Sequence, residues 1–187
     1  MLLTKTMKKF FILLCLTALL YSCGGSTKPQ APVEKWIDGL VTEYPNYDSN
    51  ELTKKAVRDS VVAFGNKAVD KPTDFLNGVE FRFAKMVENG DSVAVFFDSS
   101  GCRSEIDAPE NSSRKYVYTD IIIRVLGKVD KATAAKLDKE KLYTLTGVVH
   151  AWDEEDRFFI STHAISNIDL GTFILNDDIE ITEVPAK

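Results

Sequence analysis

Apolar positions recur at helical spacing in two stretches near the start of the chain and then switch to alternation. Over Val33 to Tyr44, residues Trp36, Ile37, Leu40, Val41 and Tyr44 keep the helical period, and Pro45 closes the run. A second helix is predicted after Asp48 or Ser49, either of which can cap exposed amides. Its apolar positions are Leu52, Ala56, Val57, Val61 and Phe64, and Gly65 suits its C-terminal cap. Both helices read as amphipathic, so both are expected against a larger sheet, with Trp36 and Phe64 in the core. From Val79 the period shortens to two. Val79 to Glu88 and Asp91 to Asp98 flank Asn89-Gly90, a strong hairpin signal. Tyr116 to Leu126 is a third strand, rich in β-branched residues. Gly101 to Lys115 before it reads as a long polar loop with Pro109 and several serines. Asp130 caps a short helical run, Lys131 to Leu137. Leu142 to Trp152 and Arg157 to His163 read as a fourth and a fifth strand, joined by the turn Asp153-Glu154-Glu155-Asp156. Thr172 to Val184 is one bent strand or a small hairpin around Asn176-Asp177-Asp178.

The order strand, strand, strand, helix, strand, strand over about Val79 to His163 resembles an OB-fold, a small five-stranded barrel with a helix between its third and fourth strands. The expected class is therefore mainly β with flanking helices, in an OB-like small barrel. A β-sandwich and a two-layer α+β sheet are the alternatives. The expected domain spans residues 33–187, helical over 33–65 and mainly strand over 79–185. Val125-Leu126-Gly127-Lys128-Val129 and Leu145-Thr146-Gly147-Val148-Val149 look alike, but glycine is common at bulges and turns in strands, so no repeat is inferred.

The first residues have a different character. Lys5, Lys8 and Lys9 precede an apolar run, Phe10 to Leu20, of signal-peptide length and too short to span a bilayer. The run ends at Leu20-Tyr21-Ser22-Cys23. This resembles the lipobox of bacterial lipoproteins. The resemblance implies cleavage after residue 22, lipidation of Cys23, and anchoring by several acyl chains, which hold a domain far more firmly than one. Gly24 follows rather than aspartate, and no acidic cluster comes after it, which implies the periplasmic face of the outer membrane. Residues 23–32 read as a flexible tether rich in small residues and proline.

The full chain carries a formal charge of −5. The leader holds three lysines and no acids, so its removal leaves 20 basic against 28 acidic side chains, a charge of −8 over 165 residues. That excess of acid argues against nucleic acid as a partner, since phosphate contacts supply most of such affinity. Of three cysteines, Cys15 is in the leader and Cys23 is the lipidation site. Cys102 alone remains, beside Arg103 in the polar loop, and no intrachain disulfide can form.

Strand parity selects the exposed chemistry. Val117, Ile121, Ile123 and Val125 share one face of the third strand, and Tyr116, Tyr118, Asp120 and Arg124 share the other. In the fourth strand Leu145, Val149 and Ala151 oppose Thr144, Thr146, His150 and Trp152. Tyr116, Tyr118, His150 and Trp152 thus form the candidate binding surface, with the loop 99–115 as a second one. The same aromatics would be core if they lay under the two leading helices. A four-residue turn would bring His150 and His163 to one face, but about 13 Å apart, too far for imidazoles on a single metal at bonds of about 2 Å. Asp153 to Asp156 and Asn176 to Asp178 lack the spacing and glycine of a dedicated calcium loop. There is no nucleophile elbow and no phosphate-binding glycine loop, so no catalytic residue, metal or cofactor is assigned. The leading expectation is a non-enzymatic, lipid-anchored envelope module that binds a protein or envelope component. The alternatives are a small hydrolase or envelope-remodelling enzyme with paired carboxylates, and a small-ligand carrier, which would need an apolar cavity of at least a few hundred Å³.

Overall fold

The computed structural model describes residues 29–45, 47, 50–107, 116–154, 166–176 and 179–185. The expected leader, Cys23, most of the expected tether and the Arg157–His163 run lie outside the described residues. Helix α1 is Pro32–Glu43. Proline suits the first helical position, where its missing amide costs no bond. Glu34 reaches back to accept a hydrogen bond from the Ala31 amide at 2.7 Å. Val33, Ile37, Leu40 and Val41 form the buried stripe. Ala31 is itself buried, and Gln30 donates to Asp38. The end of the expected tether is thus part of the domain. Helix α2 is Glu51–Ala68, capped by Asn50 rather than by Asp48 or Ser49. The Asn50 side chain accepts from the Leu52 and Thr53 amides. Val57, Val61, Gly65 and Ala68 are buried, whereas Leu52 is 81% exposed and outside the core. Gly65 does not end the helix but lies within it.

The described strands form one eight-stranded sheet. They are β1 Glu80–Asn89, β2 Ser92–Ser100, β3 Arg103–Asp107, β4 Tyr116–Asp130, β5 Leu142–Thr146, β6 Val149–Asp153, β7 Ser166–Leu175 and β8 Glu180–Glu183. Asn89 pairs with Ser92, so the hairpin turns through Gly90-Asp91, with Gly90 at φ +62°. β1, β2 and β4 make an antiparallel meander, and β7 returns parallel to β4. β6 pairs with β7, and β5 pairs with β1. Helix α3, Lys131–Ala134, sits between β4 and β5 with Asp130 as its cap. β5 and β6 are two halves of the expected fourth strand. One half closes on β1 and the other on β7, so the sheet curls into an OB-like small barrel with flanking helices.

Three details differ from the expectation. The polar loop after Gly101 contains β3, which pairs with the first part of β4. The expected fourth strand is broken because residues 70–73 dock on it. Thr73 donates to the Gly147 carbonyl and accepts from the Gly147 amide, the Lys71 carbonyl accepts from the Val149 amide, and the Asp70 amide donates to the Val149 carbonyl. The C-terminal segment makes no hairpin with β7, since β8 pairs instead with β5. Inside the barrel Phe97 meets Phe83 and Tyr143, each with ring centroids 5.9 Å apart. No helix among the described residues is long and apolar enough to cross a membrane.

Candidate functional site

Helices α1 and α2 do not close on one another. Trp36 on α1 stacks on Phe64 of α2 with ring centroids 4.2 Å apart and planes 17° apart. Phe75, in the 3₁₀ turn Asp74–Leu76, meets Phe64 edge-on at 5.3 Å and leans on Phe173 of the barrel at 4.9 Å. These rings, with Leu40 and Ala68, line an open groove of about 960 Å³. The size is at the upper end of ordinary small-ligand sites. Two small residues are part of its lining, Gly39 on α1 and Ala63 on α2. A Cβ at Gly39 would meet no atom within 4 Å, so no neighbour requires glycine there. A glycine inside a helix nonetheless costs about 1 kcal/mol against alanine.

The groove is polarised. Because Trp36 lies on Phe64, the start of α1 sits beside the end of α2. Lys35 precedes Trp36, Lys67 lies one turn beyond Phe64, and Lys71 lies four residues before Phe75. Among the described residues none of these ammonium groups has an ion pair or a side-chain hydrogen bond. Glu43 and Ser60 line the far end, and Glu43 is about 12 Å along the helix from Lys35. The hydrogen bond and charge of Glu43 hold the neighbouring Tyr44 phenol above its usual value.

The surface expected from strand parity is not assembled. His150 is the extra residue of a β-bulge: Val149 pairs with Leu175, but Ala151 pairs with Ile174 and Trp152 with Phe173. The bulge turns Trp152 onto the face of Val149 and leaves His150 exposed on its own. The indole N–H of Trp152 donates to the Leu170 carbonyl at 2.7 Å. Its ring lies against Gly65 of α2, where an added Cβ would come within 2.2 Å of ring atoms. Trp152 is therefore a packing residue beneath the helix.

Tyr118 is exposed on β4, with the Arg103 guanidinium 5.5 Å from its ring centre. Ile174 pairs with Leu126, eight residues after Tyr118, so about 26 Å of strand separates Tyr118 from the His150 bulge. Tyr116 begins β4 opposite Asp107.

Of the loop 99–115, residues 108–115 lie outside the described residues, as do His163 and Cys23. Cys102 is buried, and Arg103 beside it binds Asp120 at 2.8 Å. Glu154, from the expected acidic turn, pairs with Arg58 of α2 at 2.6 Å and so ties β6 to that helix. No group of three or more metal-ligating side chains forms among the described residues. The buried carboxylate of Asp169 is taken by Arg124 at 2.7 Å and by the Gly171 amide at 2.9 Å, and so belongs to the wall of the barrel.

Periodicity assigned Trp36 and Phe64 to the core, and both do pack against it while leaving one side to the groove. The available signal was the second face of each helix. Lys35, Gly39 and Glu43 recur at four-residue spacing on α1, as do Ala63 and Lys67 on α2, and Lys71 follows just beyond the end of that helix. The chain matches no known family model and no curated protein.

Proposed function

We propose that the protein is a lipid-anchored binding protein of the bacterial cell envelope. Cys23 is its attachment point at the periplasmic face of the outer membrane. Its ligand is a small apolar molecule held between α1 and α2. The leader ending at Leu20-Tyr21-Ser22-Cys23 supports the address. The observation that carries the binding role is the open groove of about 960 Å³ floored by Trp36, Phe64 and Phe75. It meets the cavity requirement of a small-ligand carrier. The sheet face around Tyr118 and His150 is less suited, because the register spreads those side chains apart.

Two experiments test the two halves of the reading. Labelling with an alkyne-bearing palmitate in a Gram-negative host should tag the wild-type chain and not Cys23→Ser, and equal labelling of both would end the anchor assignment. For the groove, the chain from residue 23 carrying Cys23→Ser retains every described element. A neutral naphthylamine dye should bind it with enhanced emission. Gly39→Leu should abolish that signal at a melting temperature no lower than that of the wild type. A dye signal indifferent to Gly39→Leu would put the apolar site elsewhere.

A further inference from the structure

The charge around the groove identifies the class of ligand. We infer that the groove takes a single-chain amphiphile with an anionic head, the chain lying on the aromatic floor and the head meeting Lys35, Lys67 and Lys71. This rests on the binding role proposed above and makes it specific. The chain as a whole is acidic, at −5, yet the groove is bordered by three lysines and one glutamate. All three lysines line the groove, Lys35 next in sequence to Trp36 and Lys67 one turn past Phe64, and Glu43 is two turns along α1 from Lys35. An anion is therefore attracted to one end and repelled from the other, while the apolar middle favours a hydrocarbon. The three ammonium groups have no partner among the described residues, so a ligand need not displace an existing ion pair.

The scale of the site fits a small molecule better than a protein. Thirteen residues line the groove, fewer than the roughly 20–30 per side of a stable protein interface. Gly39 adds an independent observation. It is an exposed mid-helix glycine on the lining of the groove that no neighbour demands. A ligand lying close to the α1 backbone would use the absence of a side chain there.

The test is displacement of the neutral dye by dodecanoate, dodecanol and dodecyltrimethylammonium, which share a chain and differ in head charge. Dodecanoate should bind about tenfold more tightly than dodecanol, since each exposed lysine contributes a few-fold at most. Raised salt should shrink that preference. Lys67→Gln with Lys71→Gln should bring dodecanoate close to dodecanol and leave dodecanol itself unchanged. Equal binding of all three amphiphiles by the wild type, with Gly39→Leu still blocking them, would overturn the anionic head and leave the groove as an apolar site. Tighter binding of the ammonium amphiphile would overturn the charge argument outright. Failure of every amphiphile together with the dye would remove the groove itself. A concentration-dependent dimer, abolished by Gly39→Leu, would show that a second copy covers the groove and would overturn the small-molecule ligand.

Discussion

Two clusters of aromatic side chains lie in this molecule, one sealed and one open. In the barrel Phe81, Phe83, Phe97 and Tyr143 are all buried. Between the helices Trp36, Phe64 and Phe75 are packed on one side only. Composition does not separate them, since both are rich in phenylalanine. Closure does. Barrel residues are surrounded because strand pairing spaces side chains about 5 Å apart and the sheet curls back on itself. Groove residues depend on how closely two helices approach, and Gly39 and Ala63 leave the space unfilled. The contrast is the basis of the proposed division of labour, in which the sealed cluster holds the fold and the open one would hold the ligand.

The largest expected effect breaks the sealed side. Phe97→Ala should cost about 3–5 kcal/mol, as for a fully buried ring, measured by urea unfolding. A loss below about 1 kcal/mol would mean that the barrel interior is not the centre of stability. Next comes the contact between the two regions. Gly65→Ala drives a methyl group into the Trp152 ring and should cost about 1–3 kcal/mol. In a Trp36→Phe background the emission of Trp152 should change with it, and an unaltered spectrum would contradict the packing of that ring on α2.

The open side should respond in the reverse sense. Gly39→Ala should stabilise the chain by about 0.5–1 kcal/mol, because a mid-helix glycine is replaced where nothing obstructs a methyl group. Destabilisation would show that the glycine serves the fold and not the groove. The smallest effect concerns pH. The Thr133 amide and hydroxyl hold the Asp130 carboxyl below its ordinary 3.8. A lowered folded-state pKa contributes stability in full above the unfolded value, lost as pH falls through the folded one. Asp130→Asn should flatten the acid limb of the stability curve slightly below pH 4, and an unchanged limb would remove the carboxylate from that account.

Local signals were legible to the extent that they were local. Val33 to Tyr44, the hairpin about Gly90, the parity of β4 and the Asp130 cap all follow from neighbours a few residues apart. β3 was hidden, because its five residues, Arg103–Asp107, are mostly polar and pair only with β4. The placement of Trp152 turned on one residue. Parity through His150 assigns Trp152 to the outside, and the bulge reverses it without any glycine or proline to announce the change. The groove was legible only in part. The rings and lysines were visible, but nothing in their spacing says that α1 and α2 stand apart.

By itself the sequence determined the periods: two amphipathic helices, then a barrel order of strands with a helix after the third. Period is a property of successive residues, so each element carries its own record. Only the tertiary structure decided which apolar faces were sealed and which were left open. That choice depends on distances between elements far apart in the chain: Trp36 against Phe64, Trp152 against Gly65, and β5 and β6 closing on different partners. Burial is a property of pairs, and no single segment contains both members.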